Sequence, residues 1–310
     1  MKKYFMVGLK GCAMGMADVV PGVSGGTIAF ISGIYEELLD SIKSLDIEAL
    51  KLFFTGKFRQ FFEKINGKFL FSLIAGIGVA ILTMARLMTY MLENHPIITW
   101  SFFFGLIIAS ALMVAREVNR WGVAPVITML IGVVLSYWIT VVSPATTPND
   151  WWFIMLSGAI AICAMILPGI SGAFILLLLG KYLFIMEAVT ELNIGVLVLF
   201  AIGAVVGIVS FSHVLSWLLN RWHDATVTML MGFMIGSLNK VWPWKQTLET
   251  YLDSHGVEQP LAQANVSPMQ FEVLGSESHL VLAIMSCVAG FALIYVIELI
   301  GKRVQIKKEA

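Results

Sequence analysis

The chain has 310 residues, 58% of them apolar and only 13% charged, with a mean hydropathy of +0.86. Soluble domains carry about a quarter charged residues, so this composition belongs to a polytopic membrane protein. The 20 basic and 20 acidic residues cancel, and no basic block suggests nucleic-acid binding. Cys12, Cys163 and Cys287 are scattered, with no CxxC pair and no Cys/His cluster, so neither a metal site nor a disulfide framework is indicated.

The first apolar segment, 5–34, is interrupted by Lys10 and Asp18 and does not read as a cleaved leader. It contains Pro21, Gly22, Ser24, Gly25, Gly26 and Thr27, a run that breaks a helix. Segment 44–66 mixes five phenylalanines with lysines and acids and is expected to lie along the membrane interface. Apolar runs long enough to span follow at 69–92, 97–115 and 122–142. Segment 151–180 then repeats the break, with Pro168, Gly169, Ser171, Gly172 and Ala173. Further spans are expected at 193–219, 225–241 and 279–300, six in all. The polar loop 244–278 between the last two carries no legible chemistry.

Basic residues decide how the two broken segments sit. If both are re-entrant and the N-terminus is cytoplasmic, 16 basic residues fall inside. Only Lys181, Lys240 and Lys245 fall outside, and Arg86 lies within a span. A full crossing by the first segment would put the basic residues of 43–68 opposite Lys2 and Lys3, so the positive-inside rule favours re-entrant hairpins with both termini cytoplasmic.

An internal repeat supports this. At an offset of 147, Pro21-Gly22 matches Pro168-Gly169, Ser24-Gly25 matches Ser171-Gly172, and Gly33-x-Tyr35 matches Gly180-x-Tyr182. Beyond the 44–66 insertion the offset is 127, matching Gly76 to Gly203 and Gly105 to Gly232. The expected fold is therefore an all-α polytopic membrane protein in two halves, 1–142 and 143–310. Each half is a re-entrant helical hairpin plus three transmembrane helices. Three being odd, the second half is inverted, the plan of secondary transporters.

Broken backbone in hydrocarbon is tolerated only when buried in protein or lining a wet cavity. Ser24 and Ser171 are placed to cap new helices. The amides of Gly25, Gly26 and Thr27, and of Gly172, Ala173 and Phe174, are then candidates to bind an anion; close packing of small residues is the other reading. Arg86 and His213 match at the 127 offset and suit an anionic headgroup, although Arg86 is also placed to snorkel and His213 to serve as a neutral interior residue. Asp18, matched by Met165, is a candidate to carry a coupling proton or sodium ion, or to pair with Arg86.

With Gly11 to Thr27 and Leu167 to Phe174 in hand, the chain resembles the bacterial undecaprenyl-phosphate (polyprenyl-phosphate) translocases, along nearly its whole length. The resemblance implies a lipid transporter of the bacterial inner membrane, not an enzyme and without a cofactor. It would return the lipid carrier of cell-wall and surface-polysaccharide synthesis from the outer to the inner leaflet. The family's motifs fall on Asp18, Pro21, Gly22, Ser24, Gly25, Gly26, Pro168, Gly169, Ser171 and Gly172. Two other readings stay open: a membrane phosphatase, for which the five histidines form no suitable constellation, and an ion-coupled small-anion transporter or channel of the same plan.

Overall fold

The computed structural model describes residues 2–18, 24–142, 147–252 and 258–309. The chain opens with α1 (Lys2–Asp18), and α2 (Gly25–Ile31) folds back against it as a helical hairpin. The Lys10 ammonium reaches across to donate to the Ser32 carbonyl at 2.6 Å. Pro21 and Gly22 lie outside the described residues. The matching hairpin is α9 (Trp151–Ile166) and α10 (Gly172–Leu178). Both hairpins exit through a glycine in the left-handed region, Gly33 at φ 68° and Gly180 at φ 61°, a conformation other residues rarely adopt. They lead into α3 (Tyr35–Lys43) and α11 (Tyr182–Thr190).

Segment 44–66 forms two short helices, α4 (Ile47–Phe54) and α5 (Phe58–Lys64). Asp46 caps α4 by accepting from the Ala49 amide at 2.8 Å, and Lys64 pairs with Asp46 at 2.9 Å and with Glu48. The Phe53 ring packs edge-on to Phe54, Phe58 and Phe61. Phe54 is nonetheless 82% exposed. Charges and exposed rings thus share one surface hairpin.

The long elements are α6 (Gly67–Asn94), α7 (Pro96–Val114), α8 (Val123–Val141), α12 (Ile194–Arg221), α13 (His223–Ser237) and α15 (Leu280–Glu309). They fall on the six apolar runs. By length and composition the stretches Pro96–Glu117, Val123–Val141 and Ile194–Arg221 qualify as spans among the described residues, and up to five qualify if each of two bent helix pairs counts as one. Helix α13, at 15 residues, is about 22 Å long and shorter than a typical hydrocarbon core of roughly 30 Å. Polar Asn239 and Pro243 follow its end.

Four helix pairs carry most of the packing: α1 with α6, α9 with α12, α7 with α15, and α8 with α13. Each crosses at a glycine whose missing side chain admits a partner carbonyl: Gly11 on Leu73, Gly158 on Phe200, Gly105 on Cys287, and Gly232 on Met129. Such crossings replace the hydrophobic drive that lipid cannot supply between apolar helices.

The loop 244–278 departs from the all-α expectation. It folds as an antiparallel hairpin of β1 (Lys245–Leu252) and β2 (Glu258–Asn265), followed by the short helix α14 (Pro268–Val273). Ser267 and Gln270 form a reciprocal cap at the start of α14. The hairpin is anchored by indoles: Trp244 donates to the Ser278 carbonyl at 2.8 Å and Trp242 to that of Val266 at 2.9 Å.

A Cβ at Gly105 would overlap the Cys287 backbone, whereas one at Gly78, also in a long helix, meets nothing within 4 Å. Gly105→Ala should therefore cost about 1–3 kcal/mol through overpacking, while Gly78→Ala should be neutral or slightly stabilising. Thermal unfolding of the two purified variants in the same detergent distinguishes them; equal midpoints would refute the tight crossing.

Candidate functional site

The two hairpins meet at their broken tips. Ser24 sits in extended conformation (φ −116°, ψ 134°) as the N-cap of α2; its hydroxyl accepts from the Gly26 amide at 3.1 Å and donates to the Met165 carbonyl at 2.9 Å. Thr27 accepts from the Gly169 amide at 3.0 Å, and Tyr35 donates to the Ile166 carbonyl at 3.2 Å. Gly169 lies at φ 86°, and a side chain there would also run into the backbone of Phe233 and Met234. Every one of these bonds joins one hairpin to polar backbone freed by the break in the other, or closes the break itself.

The two helix starts are capped differently. On α2 the Asp18 carboxylate accepts from the Gly25 amide at 2.7 Å, Ser24 takes Gly26, and the Ser24 carbonyl takes Thr27 at 3.0 Å. All three amides are thus already held by the chain's own oxygens. On α10 the Ser171 side chain makes no cap bond. Among the described residues no acceptor is found for the amides of Gly172, Ala173 or Phe174. Met165, the counterpart of Asp18, offers no carboxylate. Gly172 itself packs on the Ala161 carbonyl, so its lack of a side chain serves the hairpin's own closure.

The structure brings Ser24, Gly25, Gly26, Thr27 and Asp18 together at one tip and sets Gly169 against them. Pro168, Ser171, Gly172 and Ala173 belong to the other tip. It does not bring His213 into this group. That ring is exposed on α12 and bonds to the Val209 carbonyl of its own helix at 2.8 Å. Arg86 belongs to α6, and its side chain lies outside the described portion.

Two cavities flank the tips at opposite ends of α13. The larger, about 340 Å³, lies beside α10 (Phe174, Leu177, Leu178), the end of α8 (Tyr137, Thr140) and the β-hairpin, and includes Lys240, Lys245 and Glu249. The smaller, about 250 Å³, lies beside α2 (Phe30, Ile31) and the start of α13 (His223, Val227), and includes Glu36 and Glu117. In the sequence these lysines read only as markers of topology. Their spacing around Trp242-Pro243-Trp244 was the available signal, because indoles commonly accompany a partly buried ammonium.

A helical membrane protein whose interior is organised around two interlocked helix breaks, with a polar cavity beside each, has the construction of a carrier rather than of a plain helical anchor. The chain belongs to the undecaprenyl phosphate translocase-like family, which it matches over residues 14–259. It is 47% identical over 296 residues to the polyprenyl-phosphate transporter of Vibrio cholerae, covering 95% of this chain and 96% of that protein. It is 31% identical over 255 residues to the polyprenyl-phosphate transporter of Staphylococcus aureus, covering 76% of this chain and 85% of that protein. No solved structure matches the chain.

The Thr27–Gly169 bond is open to a direct test. Thr27→Val keeps the shape but strands the buried Gly169 amide, at a cost of about 1–3 kcal/mol. Thr27→Ser keeps the acceptor and should cost much less. Thermal unfolding of the purified variants reads the difference, and a loss in Thr27→Ser with none in Thr27→Val would mean that the methyl, not the hydroxyl, matters.

Proposed function

We propose that this protein translocates a polyprenyl phosphate, undecaprenyl phosphate foremost, from the outer to the inner leaflet of the bacterial cytoplasmic membrane, with both termini cytoplasmic. It acts as a lipid transporter, without bond-making chemistry, and serves recycling of the carrier for cell-wall and surface-polysaccharide synthesis. The observation that carries the reading is the junction of the two broken hairpins, since polar backbone at such a place suits a headgroup that must leave water while its tail stays in lipid.

The inverted repeat enters as part of this proposal, and its support is in the packing. Shifting Gly11 and Leu73 by 147 and 127 gives Gly158 and Phe200, which make the same contact. The α7–α15 crossing, with Gly105 on Cys287 and Gly290 on Phe102, has as its counterpart the α8–α13 crossing, with Gly232 on Met129 and Gly132 on Met229. A two-fold repeat of hairpin plus three helices exchanges these pairs, and the odd number of helices per half makes it an inverted one. Re-entrance of both hairpins and an interfacial placement for α4 and α5 follow from the same topology.

In this reading the headgroup meets the tips formed by Ser24, Gly25, Gly26 and Thr27 on one side and Ser171, Gly172 and Ala173 on the other. The α10 tip, free of an internal carboxylate, is the more receptive. At the α2 tip Asp18 already serves the Gly25 amide, so phosphate must displace it or meet it neutralised. That gives Asp18 a route to couple a proton or sodium ion to headgroup binding. Arg86 remains a proposed cationic contact; His213, exposed on α12, is not carried forward.

The test is reconstitution of the full chain into liposomes. Lipid-phosphate exchange between leaflets is expected, without release of inorganic phosphate and without ion flux when the lipid is omitted. Ion flux alone would replace the reading with a small-anion transporter. Asp18→Asn retains an oxygen for the Gly25 amide but loses the charge. It should keep lipid binding and lose the response of transport to an imposed proton or sodium gradient; an unchanged response to both would remove Asp18 from coupling.

A further inference from the structure

The two cavities occupy corresponding places in the two halves. Leu177, Leu178 and Lys240 of the larger correspond to Phe30, Ile31 and Met113 of the smaller at the repeat offsets. Their charges do not correspond. The larger holds two ammonium groups and one carboxylate, Glu249; the smaller holds Glu36 and Glu117, with His223. Position is shared and sign is reversed.

The lysines of the larger cavity are held by built contacts. Asn265 of β2 donates to the Asn239 carbonyl and side-chain oxygen, both at 2.8 Å, and Asn239 donates to the Thr140 hydroxyl at 2.6 Å. This clamp fixes the β-hairpin to the ends of α13 and α8. Lys245, the first residue of β1, then donates to the Lys240 carbonyl at 2.6 Å and lies 4.0 Å from the centre of the Trp100 ring. The Lys240 ammonium lies 4.3 Å from the centre of the Phe174 ring. Among the described residues no carboxylate lies within ion-pair distance of either lysine. Two like charges near each other, with no carboxylate among the described residues close enough to pair with either, leave a site short of an anion. Phe174 is the third residue of α10, so this wall of the cavity begins within one helical turn of the α10 tip.

We propose that this cavity is the loading site where the phosphate headgroup of the lipid first binds from the outer face, with Lys240 and Lys245 as its paired cationic contacts. The assignment rests on the transporter reading above and on its orientation, which puts the β-hairpin outside. The acidic cavity at the other end of α13 is then the release side, where Glu36 and Glu117 disfavour a returning phosphate. A phosphate monoester carries about −1.5 to −2 charge near neutral pH, so the sign difference makes headgroup binding tighter at the loading end than at the release end, while the net direction is set by the lipid gradient or the coupled ion.

Burial, and secondarily the charge of Lys240, pull Lys245 down to about 7. The titratable groups around Lys245 in the cavity are Lys240, Glu249 and Tyr137. A lysine with a lowered pKa is charged below that value and neutral above it. Loading should therefore weaken as pH rises from about 6.5 to 8.5, while the second phosphate ionisation, near 6, is largely complete. Arginine stays charged throughout.

The experiment uses the full chain in zwitterionic nanodiscs, with polyprenyl monophosphate, the corresponding polyprenol and inorganic phosphate as probes. Lys240→Gln and Lys245→Gln should each weaken lipid-phosphate binding about tenfold or more, as loss of a hydrogen bond to a charged group does. Lys245→Arg should restore binding and flatten its pH profile, which a merely structural role would not do. Lipid phosphate should also protect Lys245 from an amine acetylating reagent at pH 7, and polyprenol should not. If the parent transports the lipid while both Gln variants bind and transport like it, the loading site is wrong and the transporter reading stands. Equal protection by inorganic phosphate and lipid phosphate would make this a small-anion site and overturn the loading role. If the parent neither binds nor moves the lipid, the transporter reading falls with it.

Discussion

A peptide group that leaves a helix inside hydrocarbon has no water to turn to, and that constraint organises this protein. Two breaks are built into the chain, and each is completed by the other. The Gly169 amide needs the Thr27 hydroxyl, the Met165 carbonyl needs Ser24, and the Ile166 carbonyl needs Tyr35. The tips must therefore touch, which explains why Gly26 packs on the Ile166 carbonyl and why Gly169 lies against α13. The long helices then follow as a wall around this junction. Their glycine crossings let carbonyl meet backbone closely enough for dispersion to replace the hydrophobic drive.

Much of this was legible in the sequence because membranes allow few solutions. Apolar runs of about 20 residues mark the long helices, and two Pro-Gly breaks mark the hairpins. Ser24 reads correctly as a cap from its position before Gly25-Gly26. Ser171, in the same local pattern, does not form the side-chain cap. A residue pattern states that an oxygen is available, whereas the bond depends on the local dihedrals and on competing acceptors. His213 shows the same limit. The repeat offset places it opposite Arg86 in sequence, but helical phase turns its ring outward on α12. A shift of residue number preserves depth along a helix more reliably than it preserves facing.

The loop 244–278 was the least legible part. Its hairpin is short, irregular near Glu249 and stabilised by contacts to residues far away in sequence. No periodicity announces that Asn265 will meet Asn239, and without that clamp Lys245 would be an ordinary exposed lysine. Its place in the cavity is a tertiary fact.

The asymmetries between the halves are more informative than their likeness. A carrier with two identical ends would work equally well in both directions, limited only by the gradient of its cargo. At the repeat offsets the glycine crossings coincide but the polar groups do not. Asp18 has no counterpart at the second tip, where Met165 stands. Lys240 has Met113 in its place in the first half, and Lys245 belongs to a loop with no match there. These substitutions leave the crossings untouched, because they lie at tips and cavity walls rather than at the glycine contacts. Packing constrains the helix pairs tightly, so divergence between the halves can accumulate where side chains face a cavity. That is where charge can differ between the two cavities without altering the fold.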